Sequence, residues 1–208
     1  MKKLVFFFCM NVITIACAAQ QFHGELKLGI AGSQVSGDEL SGFDKAGLLL
    51  GGGVRTKLKN KTTIGFNILY LQKGSRSPNN LANGDSSYYR LRLNYLEFPI
   101  AIRFNIGKKI YFEGGPSIGY LLSSAEENQD GNIPYRRPFV KYDISFAGGF
   151  GYPIGQGWDL QFGFWQSFLP VRKHDGDATY HLNHGQYNSV ISFSILRTMH
   201  PVSNKNNE

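Results

Sequence analysis

Imidazole and carboxylate side chains are concentrated in one polar stretch near the end of the chain: His174, Asp175, Asp177, His181 and His184. Such groups bind zinc or copper in many proteins, but this spacing matches no closed metal site. With a hydroxyl from Ser167 or Ser189, the same histidines would supply the nucleophile and base of a hydrolase. Because no motif marks a nucleophile and the spacing fits no closed metal site, we expect no enzyme, no metal and no cofactor.

A second set of charged side chains alternates with apolar residues along the chain. Period-two alternation places such charges on one face of an extended strand and apolar residues on the other. If the strands close into a barrel, these charges meet in its lumen, either as a structural ion-pair network or as a path for protons or solutes. The predicted lumen set is Arg55, Glu97, Arg103, Glu113, Lys141, Asp143 and Asp159.

The stretch 93–107, LNYLEFPIAIRFNIG, shows the alternation most clearly. Its apolar face would pack in the core of a soluble protein, but would face lipid in an outer-membrane barrel. Glu97 and Arg103 are about 20 Å apart along such a strand, so each needs a partner on another strand. We predict Arg55 or Lys141 for Glu97, and Glu113 or Asp159 for Arg103.

Eight strand-like runs bounded by turn signals indicate an all-β fold. The connections alternate between long loops and tight turns, which is typical of an eight-stranded antiparallel up-and-down transmembrane β-barrel with its short turns in the periplasm. Pro99 and Pro116 fall within predicted strands, where each is expected to mark a bulge. The predicted strands are 22–33, 45–58, 62–73, 93–107, 110–123, 139–153, 158–171 and 185–197.

Aromatic residues on the apolar faces cluster at both ends of the strands. Two aromatic rims around an aliphatic band are typical of a protein that crosses a bilayer, because amphipathic rings favour the headgroup depth. The predicted rim at the long-loop side is Tyr70, Tyr120, Tyr142, Phe168 and Tyr187. The predicted rim at the short-turn side is Phe22, Phe104, Phe112, Tyr152 and Trp158.

The first residues have the composition of a secretory signal peptide. Lys2 and Lys3 precede an apolar run, and small residues follow near 16–19, so we expect residues 1–19 to be removed. Acylation of Cys17 is an alternative use of this segment. Residues 20–197 would then form one barrel domain and 198–208 a polar periplasmic tail.

The net charge of +7 is spread among turns, and export argues against a nucleic-acid partner.

Several segments carry a family resemblance: ILYLQKGS at 68–75, LNYLEFPIAIRFNI at 93–106 and FEGGPSIGYLLS at 112–123. With GELKLGIAGS near the start and NSVISFSI near the end, they resemble the PorT-like outer-membrane β-barrel proteins of Gram-negative bacteria. The resemblance implies an eight-stranded barrel in the outer membrane without catalytic residues.

The expected function is therefore a structural, interaction or envelope/secretion-assembly role, with outer-membrane lipid and envelope proteins as partners and a lumen filled by side chains. Tyr88, Tyr89, Arg90 and Arg92 form a loop cluster that would suit a carbohydrate or protein partner, or anchor the membrane rim. Two alternatives stay open: a soluble exported lipocalin-like barrel that binds an apolar ligand, and a barrel enzyme that acts on lipid or peptide.

Overall fold

The computed structural model describes residues 21–38, 40, 42–77, 88–107, 109–129, 131–133, 137–173 and 185–199. These residues form antiparallel strands, one of which has only two residues. The strands are β1 (Phe22–Ser36), β2 (Lys45–Lys59), β3 (Thr62–Arg76), β4 (Tyr89–Ile106), β5 (Ile110–Asn128), β6 (Gly131–Asn132), β7 (Tyr142–Gly155), β8 (Trp158–Ser167) and β9 (Tyr187–Met199).

The long strands close into a barrel. Each pairs with its neighbours in sequence, β5 pairs with β7 across the short β6, and β1 pairs with β9 from Gly24 opposite Met199 to Ser36 opposite Tyr187. No sheet edge is left open among the eight long strands, which removes the exposed ladder groups that a bilayer cannot hydrate. The predicted eight-stranded antiparallel transmembrane barrel is confirmed.

The two ends of the barrel differ in their connections. At one end, here called the turn end, β2–β3, β4–β5 and β7–β8 are joined by tight turns, where Gly107 and Gln156 have positive φ values of 65° and 50°. The opposite end, here called the loop end, carries the longer connections. In up-and-down outer-membrane barrels the short turns face the periplasm and the long loops face outward.

The outer wall is apolar and the interior is largely polar. Leu28 and Ile30 on β1 are 63% and 68% exposed, while Glu25 and Lys27 on the same strand are buried. Ile100, Ile102 and Phe104 of β4 are likewise exposed. This distribution is the reverse of a soluble protein and suits lipid outside the wall. Within the described ranges, no helix has the length and apolar character needed to cross a membrane.

Several strand ends lie away from their predicted positions. β4 begins at Tyr89 and β5 continues to Asn128, so these strands project further at the loop end than the sequence pattern indicates. β7 begins at Tyr142, three residues later than predicted, and β8 ends at Ser167, four residues earlier. The predicted tail also needs correction, because Thr198 and Met199 pair with β1 and belong to β9.

The predicted bulges at Pro99 and Pro116 are wrong. The β4–β5 register is the same at Pro99 opposite Ser117 as at Arg103 opposite Glu113, and Pro116 pairs in regular register with Phe146 of β7. A residue in an antiparallel strand directs its N–H to one neighbour only, so a proline removes one ladder bond and leaves the other side intact. The register shift in β4–β5 falls instead between Asn94 and Tyr95.

Candidate functional site in the barrel interior

Glu113 of β5 is the centre of a charged cluster near the turn end, here called the turn-side network. Its Oε2 accepts hydrogen bonds from Arg55 Nη2 at 3.1 Å and from Arg103 Nε at 3.0 Å. Its Oε1 accepts a bond from Gln161 Nε2 at 2.6 Å and lies 3.7 Å from Lys27 Nζ. One carboxylate therefore joins β5 to four other strands of the barrel through its two oxygens.

Arg103 extends this network to the other carboxylates. Its Nη1 lies 3.6 Å from Asp159 Oδ2 and its Nη2 lies 3.6 Å from Glu25 Oε1, while its guanidinium stacks 3.8 Å from the Tyr111 ring centroid. Arg55 Nε donates to Glu25 Oε1 at 2.7 Å. The formal charges balance: Lys27, Arg55 and Arg103 face Glu25, Glu113 and Asp159.

A second cluster, here called the loop-side network, surrounds Lys73 of β3. Its Nζ lies 2.7 Å from Glu97 Oε1 and 2.8 Å from Asp143 Oδ2, and none of the three side chains is exposed. Asn188 Nδ2 also donates to Asp143 Oδ2 at 2.9 Å, and Ser117 Oγ donates to Glu97 Oε2 at 2.5 Å. Two carboxylates thus share one ammonium group, which lies 4.7 Å from the Tyr95 ring centroid.

Apolar side chains fill the interior around the two networks. Leu49, Leu69 and Trp165 belong to a buried cluster that lies, along the strands, between the turn-side network and the loop-side network. A second buried cluster includes Leu93 and Leu121, next to the loop-side network. A cavity beside the cluster that contains Leu69 and Trp165 has a volume of only ≈ 20 Å³, which is space for one or two water molecules.

The structure places six of the seven predicted lumen residues inside the barrel. Arg103 meets Glu113 and Asp159, the two partners predicted for it. The expected place of Lys141 needs correction, because this residue precedes β7 and its side chain is exposed. The six interior residues are Arg55, Glu97, Arg103, Glu113, Asp143 and Asp159.

The pairing predicted for Glu97 is not observed, because its cation is Lys73 instead of Arg55 or Lys141. Sequence reasoning missed Lys73, Glu25 and Lys27 as network members. The signal was available: all three have the inward parity of their predicted strands, and Lys73 was the last residue of its predicted run.

The predicted aromatic rim residues lie on the outer wall. Eight of them are exposed, and Tyr70 and Tyr187 are partly buried. Neighbouring strands bring some of them together: Phe112 is 6.3 Å from Phe150, and Tyr120 is 5.6 Å from Tyr142, between ring centroids. Phe168 lies just past the end of β8.

The two serines considered as hydrolase nucleophiles have structural partners: Ser167 Oγ accepts the N–H of Asn188 at 3.1 Å, and Ser189 Oγ donates to Gln166 Oε1 at 2.6 Å. The histidine and aspartate residues of the candidate metal site lie outside the described residues. In the part of the chain that is described, no group of His, Cys, Asp and Glu has the arrangement of a metal site.

Tyr89 belongs to a further polar cluster at the loop end. Glu126 accepts hydrogen bonds from the Tyr89 hydroxyl at 2.6 Å and from both terminal nitrogens of Arg172, at 2.7 and 3.2 Å. Burial alone would raise the pKa of Glu126, but the bonds from Arg172 and Tyr89 outweigh it and lower that pKa. The Arg172 guanidinium also stacks on Phe139, so this cluster connects strand and loop segments.

The other members of the predicted loop cluster point elsewhere. Tyr88 is partly buried just before β4. Leu91 and Leu93 of β4 are fully buried inside the barrel, so Arg90 and Arg92, which alternate with them, lie on the outer face. The cluster therefore divides between the interior and the outer wall.

Solved structures with a similar fold are outer-membrane barrels. Two structures of Ail, the attachment invasion locus protein of Yersinia pestis, align with 86% of this chain and 99% of theirs. One, a complex with the heparin analogue sucrose octasulfate, has 12% identity and a TM-score of 0.51, and the other has 11% and 0.50. Neisserial surface protein A aligns with 84% of this chain and 96% of its own, at 10% identity and a TM-score of 0.49.

No curated protein matches the chain. A family described as "Outer membrane protein beta-barrel domain" matches residues 18–172, which is most of the chain. This match agrees with the closed strand topology, the apolar outer wall and the charged interior. The chain therefore belongs to the outer membrane protein beta-barrel domain family and is an outer-membrane protein.

Proposed function

We propose that this protein is a closed, non-conducting and non-enzymatic barrel that anchors an interaction surface at the outside of the cell. The observation that carries the proposal is the filled interior, in which Lys73 lies between Glu97 and Asp143 with no exposed side-chain surface. An eight-stranded barrel is just wide enough for its own side chains, so the two networks and the apolar clusters leave no continuous aqueous path.

The loop end supplies the interaction surface. β4 and β5 extend past the level of the rim residue Tyr120 by several residues, and β4 carries Tyr89, Arg90 and Arg92 at its far end. The Glu126 and Arg172 cluster ties these strand ends to the segment that precedes β9. A charged, hydrogen-bonded surface above a membrane barrel suits contacts with envelope or external partners.

Conductance measurements test the closed-barrel role. The refolded protein is inserted in planar bilayers and in sugar-loaded vesicles, and we expect neither stable single-channel currents nor osmotic swelling. A matched variant, Trp165→Gly with Leu69→Ala, removes volume from the buried cluster and tests whether the assay detects an opened lumen. Steady wild-type channels that pass ions or sugars would overturn the proposal.

The soluble lipocalin-like alternative is disfavoured by the interior itself, because its apolar side chains already fill the space a ligand would need. The enzyme alternative lacks an arranged nucleophile and base in the described interior. Assays for lipid and peptide hydrolysis with the folded protein, which we expect to be negative, test this part of the proposal.

Three finer features are part of the proposal. The chain is proposed to be PorT-like within its family, to lose residues 1–19 on export, and to use outer-membrane lipid and envelope proteins as partners. Mass spectrometry of the mature N-terminus tests the cleavage, and cross-linking in intact cells identifies protein partners. A mature chain that retains Met1 would contradict the cleaved signal.

A further inference from the structure

Three arginines lie together on the outer wall at the loop end. Arg76, the last residue of β3, directly faces Arg90 of β4, and Arg92 is two residues further down the same strand. Side chains at facing antiparallel positions lie on the same side of the sheet, with Cβ atoms about 5 Å apart. Ser75 is buried in the interior, so Arg76 points outward, as Arg90 and Arg92 do. This set of three is called the arginine cluster below.

The arginine cluster has an excess of positive charge. Glu127 faces Arg90 across the β4–β5 ladder and forms an ion pair with Arg92. Among the residues with described positions, Arg76 and Arg90 form no ion pair with a carboxylate. Facing like charges destabilise a sheet, so an anion between Arg76 and Arg90 would offset a repulsion that the fold retains.

The pKa of Lys45, at the start of β2, is affected by two arginines of the cluster. Burial is the main reason that its pKa is lowered, and the charges of Arg90 and Arg92 lower it further, to about 8. The Lys45 ammonium bonds to the backbone carbonyl of Ala46 and not to a carboxylate. Lys45 itself is buried with the inward parity of β2 and does not belong to the arginine cluster, but its lowered pKa shows that the charges of Arg90 and Arg92 act on a side chain two strands away.

On the outer wall below the arginine cluster, apolar, neutral polar and charged side chains follow one another in the same order as the parts of a lipid molecule. Ile68, Ile100 and Ile118 form an exposed aliphatic surface. Above them, an uncharged polar row begins where the Tyr70 hydroxyl donates to Asn94 Oδ1 at 3.0 Å, and Asn94 Nδ2 donates to Ser123 Oγ at 2.8 Å. The arginines follow at the top. This order matches acyl chains, a neutral linkage region and anionic headgroups.

The height of the arginine cluster above the loop-end aromatic rim indicates which class of lipid could reach it. Leu96 faces both Tyr70 and Tyr120 of the loop-end rim. With a strand rise of about 3.3 Å and a tilt of about 40°, Arg92 is about 10 Å and Arg90 about 15 Å above that level. A phospholipid headgroup layer adds only about 5 to 8 Å on each side of the hydrocarbon. A lipid whose phosphates sit on a taller sugar headgroup reaches all three residues.

We propose that Arg76, Arg90 and Arg92 bind the phosphate groups of a phosphorylated glycolipid in the outer leaflet, with its acyl chains on the aliphatic surface below. Guanidinium groups recognise phosphate through paired N–H donors, which an ammonium group cannot reproduce. The site goes beyond the closed-barrel role, and it depends on the loop end facing outward. Its failure would leave the conductance result unaffected.

Binding measurements with defined lipids test the site. The full-length folded protein in phosphatidylcholine nanodiscs is titrated with a diphosphorylated diglucosamine lipid, with its dephosphorylated form and with phosphatidylglycerol. We expect preference for the diphosphorylated form, and a loss of at least about tenfold in affinity for the variant R76Q/R90Q/R92Q, because this variant loses the charge-assisted hydrogen bonds from all three guanidinium groups.

The matched control is K57Q/K59Q/K61Q, which removes the same formal charge at the turn end and should bind as the wild type does. Heat-dependent gel mobility verifies the folding of each variant. If the triple variant does not fold, R92K replaces it as the test: it keeps the charge but loses the paired donors, so it should bind more weakly than the wild type. Equal binding by wild-type and arginine variants would overturn the site. Equal binding of phosphatidylglycerol or of the dephosphorylated lipid would overturn the proposed ligand.

Discussion

Lys73 and Glu97 form an ion pair inside the barrel, with Nζ 2.7 Å from Oε1 and no exposed side-chain surface on either residue. The pair is diagonal, because Glu97 faces Leu69 and Lys73 faces Leu93 in the β3–β4 ladder. A buried ion pair stabilises a fold only while both charges remain, since loss of one leaves the other desolvated and unpaired.

The first prediction concerns Lys73→Met. This change leaves the carboxylates of Glu97 and Asp143 buried without their shared cation, and we expect the free energy of unfolding to fall by about 3–5 kcal/mol. Urea titration in lipid vesicles, followed by tryptophan fluorescence, measures the change. The triple variant K73M/E97Q/D143N should recover much of the loss. A triple variant no more stable than K73M would contradict the charge-based explanation.

The second prediction compares two carboxylates of the turn-side network. Glu113→Gln removes the negative charge shared by Arg55 and Arg103, so we expect a loss of about 3–5 kcal/mol. Asp159→Asn should cost less than half as much, because its oxygen lies 3.6 Å from Arg103 and the side chain is slightly exposed. The same urea titration compares the two variants. Equal losses would show that Glu113 is not the centre of the network.

The third prediction uses two glycines with positive φ. Gly74 in β3 has a φ of 134°, and an added Cβ would lie 2.0 Å from the Leu91 carbonyl oxygen. We expect Gly74→Ala to reduce refolding yield severely, because backbone atoms of the paired strand would have to move. Gly107→Ala, at a φ of 65° with open space around it, should cost only about 1–2 kcal/mol. Similar refolding yields for the two variants would contradict the close approach at Gly74.

The fourth prediction concerns pH at the loop end. Burial opposes ionisation of Glu126, but Arg172 and Tyr89 lower its pKa below the ordinary value of 4.5. A lowered folded-state pKa means that this group contributes its full stabilisation above about pH 4.5, and that the contribution is lost as pH falls through the folded-state pKa. Hydrogen-exchange protection of the Ile133 amide, which bonds to the Glu126 carbonyl, should therefore decrease in acid.

The control for this prediction is Glu126→Gln, which should show low protection at neutral pH and a weaker acid response. Asp38 has the opposite effect on the pH dependence of stability. Burial raises its pKa, so the folded state loses stability as the pH rises and Asp38 ionises. Asp38→Asn separates the two contributions. An acid response that persists unchanged in E126Q would exclude the Glu126 and Arg172 pair as its origin.

Strand number, strand direction and the two faces of the wall could be predicted from the sequence, because a two-residue period and turn residues are local properties of the chain. The alternation around Glu97 and Arg103 places both inside, and the parity of Phe104 and Tyr120 places both outside. Each of these assignments depends on near neighbours in the chain. They therefore needed no knowledge of which strands meet.

Contacts between strands were decided by the tertiary structure. Lys73 and Asp143 meet at 2.8 Å although 70 positions separate them in the sequence, and this contact depends on the stagger that closes the barrel. The same stagger gives Arg103 three carboxylate partners, while Lys141 remains outside. Parity in the sequence therefore specifies the face of a strand on which a charge lies, whereas strand ends, register and closure specify which charges lie in the lumen and which of them form ion pairs.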